Sequence, residues 1–442
     1  MFFGDILSIE NECLDIRGNL LTLNSSVLII GYSSFNLIFI RSFIACPLAV
    51  GALSACSGGT SSHQATWEQM PVVAHTIDME GKSLTVCPID LLEDTVNIPL
   101  SDLVEKPQLV KLDNREEALV GSGGIRFSDN YILVLASQNV PCKLFRRDGS
   151  YINKVGSIGQ GPGEYKNIYD AQIDEVSGRI YLLPWSTNRI LVYDLQGKFE
   201  RHIPLNKKYA NMVAPKGVFQ VDAEKNRISV VALPFPNLPV VAWVQDMEGN
   251  YIHELPAPHL RIAFDFSNEV LASKATEGDL SLHISTFFDP RQDTLYHLNA
   301  EQGKLMPQFT IDFGSRKIGP HHFYELPNHY YGYVSDIKQT NNNLFEYDNI
   351  RYFIVEKATG KGNYCRIYDD YLYDREVTWL SGANGYYYRF VEPIVLMEEI
   401  QKALDEHPEW NEERRQKLET LKDSFNENDN NYIILGKLKG KE

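Results

Sequence analysis

Cysteine is scarce in this chain, six in 442 residues, and the spacing of those six excludes more than their number does. No Cys-x-x-Cys pair and no Cys/His pattern is present, so a zinc ligand set cannot be read from it. Beyond Cys56 only Cys87, Cys142 and Cys365 follow, odd in number and far apart, which leaves room for one disulfide and rules out a framework of them. Basic runs are missing too. Asp and Glu number 58 against 42 Lys and Arg, a net charge of −16, so the average surface repels a phosphate backbone and no nucleic-acid partner is expected. There is no Gly-x-Ser-x-Gly elbow and no Gly-Lys-Ser/Thr ending to a phosphate loop, and Ser, His and Asp are too numerous for any trio to stand out. No cofactor and no metal is expected.

What is present is a rhythm. Five short hairpins pair β-rich runs across Gly149, Gly197, Gly249, Gly303 and Gly360, at spacings of 48, 52, 54 and 57 residues. They read KLFRRDGSYINK, ILVYDLQGKFE, VAWVQDMEGNYIH, TLYHLNAEQGKLM and YFIVEKATGKGNYCR. A repeat of about 50 residues made of strands points to a β-propeller blade, because a lone four-stranded sheet cannot bury both faces until neighbours stack on it. Residues 168–204 parse as a whole blade (IYDAQID, RIYLL, NRILVYD, KFERHIP), and blades are expected at about 124–155, 216–255, 280–311 and 330–368. GYYYRF at 385–390 and the 431–437 run, with the strand-like runs 72–78 and 108–112, are expected to share the closing blade, which removes an open edge. Residues 393–406 and 409–425 carry helical spacing around His407-Pro408 and read as a helical hairpin inserted in that blade. The fold class is therefore all-β, a β-propeller with a small helical insertion near the C-terminus.

The N-terminus carries the second signal. Residues 43–55 (FIACPLAVGALSA) are too short for a stable membrane anchor, follow Arg41, and end in Leu53-Ser54-Ala55-Cys56 before a Ser/Gly/Thr stretch. This resembles a bacterial lipoprotein signal, with Cys56 as the lipidated residue. The expected layout is a leader at 1–55, a tether at 56–70 and one propeller domain at 71–442. Residues 1–35 are acidic and lack lysine, so translation is expected to begin near Leu37 or Ile38; a membrane helix across 27–55 is the competing reading.

At Gly159 to Tyr165 (GQGPGEY), followed by Asp170 and Asp174, the chain resembles the six-bladed β-propeller lipoproteins of anaerobic gut bacteria, which are similar to NHL-like and TolB-like propellers. The likeness extends to Asp148-Gly149, to the Arg291 to Tyr296 segment and to the ending at 428–437. It implies six blades, with seven as the alternative from spacing alone, and an exported, lipid-anchored protein without an established enzymatic activity. Ser, Gly and Thr follow Cys56 instead of acidic residues, so an outer-membrane lipoprotein facing the periplasm is the expected placement. Five residues are candidates for ligand contact: Glu164 and Tyr165 of the GQGPGEY loop, Trp185 in a turn, Arg291, and Tyr387 of the Tyr386 to Tyr388 run. For the aromatic ones sheet packing competes with stacking on a ligand, and Glu164 can instead satisfy amides of its own loop. His321, His322 and His329 cluster without a carboxylate at useful spacing, and Asp289, Asp293 and the 426–431 run (NENDNN) have no calcium-loop pattern. The expected role is binding of a protein or glycan ligand. An enzyme acting on polysaccharide and a structural subunit of an outer-membrane complex are the alternatives.

Overall fold

The computed structural model of the chain describes residues 67–440, except 80, 138, 186, 206–216, 237, 239, 266, 275–279, 340–344, 378–379 and 381, together with the short strands Cys13–Leu14 and Leu20–Leu21. Six sheets stand around one axis. Blade one holds Ile125–Phe127, Tyr131–Val134, Cys142–Arg146 and Tyr151–Val155. Blade two holds Ile168–Asp174, Arg179–Pro184, Arg189–Asp194 and Phe199–Pro204. Blade three holds Gly217–Asp222, Arg227–Ala232, Ala242–Gln245 and Tyr251–Leu255. In blade four Glu269–Lys274 is the innermost strand, followed by Leu280–Ser285, Leu295–Asn299 and Lys304–Asp312. In blade five it is His321–Glu325, followed by His329–Gln339, Phe345–Glu356 and Gly362–Asp369. Both blades start one strand earlier than the expected 280 and 330, because EVLASK and HHFYE mix polar and apolar residues without strict alternation.

The second and third strands of blade two, RIYLLP and RILVYD, are near-continuous apolar runs for a physical reason: both faces of a blade are buried. In blade two, Ile180, Leu182, Leu191 and Tyr193 pack toward blade one, while Tyr181, Leu183, Ile190 and Val192 pack toward blade three. The described residues form six such apolar clusters, one in each interface between consecutive blades. At roughly 1.5–3 kcal/mol for each fully buried large side chain, these interfaces are the main stabilising contribution.

The repeat glycines serve the same interfaces. All five have positive φ, between 61° and 88°, and each turns the third strand of its blade into the fourth. A Cβ on Gly149, Gly197 or Gly360 would lie 2.0, 2.0 or 2.4 Å from a backbone oxygen, of Lys111, Lys154 and Ala74 respectively. The glycine carbonyls accept across the same gap: Asp113 N donates to Gly149 O at 3.0 Å, Gly156 N to Gly197 O at 3.2 Å and Val73 N to Gly360 O at 2.8 Å. Gly178, by contrast, has φ +66° with open space around it. Gly178→Ala is therefore expected to cost about 1–2 kcal/mol, the strain of a left-handed alanine, and Gly197→Ala about 2–4 kcal/mol, because an overlap is added to the strain. Equal losses in urea unfolding would show that the glycine repeat is a turn requirement alone.

Residues 72–111 wrap the outside of three blades. Lys82–Pro88 pairs in parallel with Lys304–Asp312 of blade four, and His75–Met79 adds a further, fully exposed strand. Thr95–Pro99 pairs in parallel with Gly362–Asp369 of blade five. Gln108–Lys111 then becomes the fourth strand of blade six, whose first three are Gly382–Ala383, Tyr386–Val391 and Tyr432–Lys437. The closing blade is thus shared between the two ends of the chain as expected, but the 72–78 run does not join it and extends blade four instead. The NENDNN run fastens this closure: buried Asn430 donates to Asp113 O and Ala118 O at 2.9 and 3.0 Å, and Asp429 accepts from Lys111 Nζ at 2.7 Å and Tyr432 O–H at 2.8 Å. Helices Pro393–Glu406 and Glu412–Asp423 connect the second and third strands of blade six, capped at Asn411, which accepts from Arg414 N. Among the described residues no helix is long and apolar enough to cross a membrane.

Candidate functional site

Strand direction divides the propeller into two ends. The turns between first and second strands and the glycine hairpins lie at the lower end; the connections between second and third strands, and those between blades, lie at the upper end. The upper end is the more elaborate. It carries the helical insertion of blade six and an arm of blade five, where paired strands His329–Gln339 and Phe345–Glu356 run on past the rest of the sheet to 339 and 345. Blades two, four and five place polar and aromatic side chains together there. Tyr169 O–H donates to Glu269 Oε2 at 2.5 Å, from blade two to blade four. Glu269 stands opposite Ser285 on the neighbouring strand, and Ser285 Oγ lies 2.5 Å from His322 Nε2 of blade five. His322 Nδ1 faces Tyr324 O–H at 3.4 Å, and its ring tilts on Tyr333 at 4.7 Å. Tyr333 and Tyr347 share a hydrogen bond, and Tyr347 reaches the field of Glu269.

Aromatic rings roof this cluster. Phe287 of the blade-four loop meets Tyr347 edge-on at 4.8 Å, and Phe288 meets Phe345 at 5.5 Å. Phe288 and Phe345 keep 52% and 41% of their surface exposed, so these rings present faces to solvent while holding arm and loop together. Burial pushes the phenols of Tyr169, Tyr324, Tyr333 and Tyr347 upward, which keeps them protonated as donors. On the opposite side of the axis the inner strands are stitched shut. Asp170 accepts from Arg126 Nη2 at 2.7 Å and from Phe219 N at 3.1 Å, joining blades one, two and three, and Gln172 holds Val221 N and O at 2.7 and 2.9 Å.

The five candidate ligand residues are not brought together. Glu164 Oε2 accepts from Gly161 N at 2.8 Å and so closes its own glycine loop. Tyr165 is 2% exposed, and its hydroxyl donates to Val155 O and accepts from Cys142 N at 2.9 Å, ring and hydroxyl both inside the interface of blades one and two. Arg291 donates to the carbonyls of Arg261 and Leu260, both at 2.6 Å, fixing the link between blades three and four. Tyr387 is buried among blades five and six. Burial and these internal partners take Tyr165, Arg291 and Tyr387 away from ligand contact. Trp185 alone adjoins the mouth, half-buried with its ring 5.3 Å from Tyr169. Cys56 lies outside the described residues.

The histidines regroup as well. His329 stands against Trp67 at 4.6 Å, away from His321 and His322. His321 instead lies 5.7 Å from the ring of His283, whose Nε2 is 3.5 Å from Asp293 Oδ2, all of it buried between blades four and five. Among the described residues no group of His, Cys, Asp and Glu is placed to hold a metal ion. Asp293 is a core carboxyl, 6% exposed. Cys87, Cys142 and Cys365 are free and buried. Glu269 and Tyr347 escape sequence reasoning because they come from blades four and five, and His322, legible only as one of a histidine cluster, gains Ser285 as a neighbour through the same juxtaposition. The one available signal is the length of the apolar-aromatic hairpin around 329–356, which exceeds that of the other repeats.

The family described as Domain of unknown function (DUF4934) matches residues 84–437. This chain belongs to that family. The DUF4934 match begins within the outer strand Lys82–Pro88 and ends with the third strand of the closing blade, so it covers the whole ring. No curated protein matches in sequence. Among solved structures, an inferred exported protein of Bacteroides fragilis NCTC 9343 is similar at 15% identity and a TM-score of 0.51, covering 79% of this chain and 100% of its own. A DUF4221 member from Bacteroides vulgatus ATCC 8482 is similar at 12% identity and a TM-score of 0.36, covering 57% of this chain and 82% of its own. The first supports the propeller fold of this DUF4934 protein; the second bears on neither fold nor function.

Proposed function

We propose that this DUF4934 propeller is an exported, lipid-anchored protein of the outer membrane that faces the periplasm and binds a glycan at its upper mouth without turning it over. The observation that carries this reading is the convergence at the upper mouth of Tyr169, Glu269, Tyr347 and half-buried Trp185 with the exposed rings of Phe288 and Phe345 at the blade-five arm. Hydroxyls and a carboxylate flanked by flat rings match a ligand that has hydroxyl edges and apolar ring faces. The leader ending at Cys56 and the exported character inferred for the Bacteroides fragilis relative support export.

The Ser285–His322 contact is the observation that favours catalysis, since a serine hydrogen-bonded to an imidazole is the arrangement of an activated nucleophile. Burial weighs against it: Ser285 and His322 are 6% and 7% exposed, and desolvation pushes His322 down to about 3, which makes a weak base.

Screening the purified protein on a glycan array, then titrating hits by calorimetry, tests the proposal. Phe345→Ala and Trp185→Ala are expected to weaken binding about tenfold each, the value of a lost stacking contact of about 1.4 kcal/mol, with unfolding temperatures close to that of the parent. Retained affinity in both variants would remove the mouth as the site, and new reducing ends on incubation would turn the reading to an enzyme.

A further inference from the structure

We propose that the lower end of blades five and six lies against the phospholipid surface, so that the upper mouth points away from the membrane into the compartment. This inference rests on the lipid anchor at Cys56 proposed above. The described segment that enters the ring, from Trp67 onward, starts at the lower end. Val73 N and Ala74 N donate to Gly360 O in the lower hairpin of blade five at 2.8 and 3.1 Å, and Gly362 N donates to Pro71 O at 3.0 Å. Trp67 packs on His329 at the start of a second strand and donates through Nε1 to Asp102 Oδ2 at 3.1 Å, while Lys361 Nζ reaches Glu68 O at 2.9 Å. Residues 67–74 are therefore fixed to the lower rim by backbone and side chain alike.

Cys56 stands eleven residues before Trp67. Fully extended, that length reaches about 40 Å at most. Blade strands of six or seven residues, such as Arg179–Pro184 and Ile168–Asp174, rise about 20–23 Å, and the arm and helices stand above them. Seating the upper end on the bilayer would demand that nearly the whole reach run up the outer wall; seating the lower rim demands almost none.

Charge permits the close approach. The chain carries −16 overall, but this rim gathers Lys106, Lys361, Lys437 and Lys439 against Glu68, Asp102 and Glu105, held together where Glu105 N meets Lys437 O at 2.8 Å and Lys439 N meets Leu103 O at 2.9 Å.

The full lipidated protein, with the lipid verified by intact mass, is inserted into vesicles of phosphatidylethanolamine and phosphatidylglycerol that contain a headgroup-quenching lipid. Fluorophores are placed singly by Lys439→Cys at the lower rim and Glu346→Cys on the arm; Cys87, Cys142 and Cys365 are buried and do not compete. The label at 439 is expected to be quenched at least threefold more than that at 346. Equal or reversed quenching on lipid-bearing protein overturns the orientation while leaving the anchor intact. A mass without diacylglycerol on Cys56 overturns the anchor, and the orientation with it.

Discussion

Acidification from pH 7 to about 4.5 is expected to unfold this propeller, well above the pH at which carboxylate protonation alone would act. Desolvation by burial pushes His321 down to about 4, His322 to about 3 and His329 to about 4, and holds His283 far below its ordinary value. In the unfolded chain each titrates near 6.5. Below that pH the unfolded state binds protons that the folded state refuses, so stability falls as pH falls. Each such histidine contributes about 1.4 kcal/mol per pH unit.

Asp293 works in the opposite sense. Burial pushes it up to about 7, so the folded state takes its proton first and gains stability as pH falls from about 7 toward 4. Four histidines against one aspartate leave a net loss of roughly 4 kcal/mol per pH unit below about pH 6 as an upper bound, against a total stability of about 5–15 kcal/mol. Glu325 acts in a lower window. Burial works to raise it, but hydrogen bonds from His297 and Lys357 prevail and draw it down to about 2, so its contribution is present above about pH 4.5 and is lost only toward pH 2. Calorimetric melting temperatures from pH 7.5 to 4.5 test this. A flat profile would mean that the buried imidazoles gain protons without unfolding, and His321→Phe should flatten the slope by about one proton in any case.

Removing residues 1–112 is expected to leave a protein that does not fold as a monomer, whereas removing 1–79 is expected to leave a folded one. The shorter deletion takes His75–Met79, exposed along its whole length, and three buried side chains, Met70, Val73 and Ala74. A core loss of that size costs a few kcal/mol and lowers the melting temperature. The longer one also takes Lys82–Pro88 and Thr95–Pro99 from blades four and five, the fourth strand of blade six, and Val110 and Leu112 from the cluster between blades six and one. Strand Tyr432–Lys437 then has an open edge, and Asn430 loses its acceptors on Asp113 and Ala118 or the segment that positions them. An open edge beside an exposed apolar face favours association between chains. Light scattering and circular dichroism of both truncations decide the point; a monomeric, cooperatively melting chain from residue 113 onward would show that the ring closes without its clasp.

What could be read without coordinates follows from local chemistry. The turn at Gly197 needs positive φ, the runs RIYLL and RILVY need cover on both faces, and His407-Pro408 interrupts a helical pattern; each requirement is met within a few neighbouring residues, so the repeat, the blade and the helical insertion were legible. The inner strands of blades four and five were not, because EVLASK and HHFYE line the axis, where one side meets the channel and no simple alternation results. Tyr165 looked available beside a glycine loop and is a buried interface residue, since neither its neighbours nor its type says which way its ring turns.

Sequence by itself determined the architecture of this protein, a ring of stacked sheets, because the positive-φ glycine, the alternation of apolar residues and the turn recur within each copy. Tertiary structure alone decided the mouth, where Tyr169, Glu269, Ser285, His322 and Tyr347 meet across three blades, and the path of 72–111 around the outside of the ring. Ring closure brings together residues that are a hundred or more positions apart, and contacts of that kind leave no period in the chain from which they could be read.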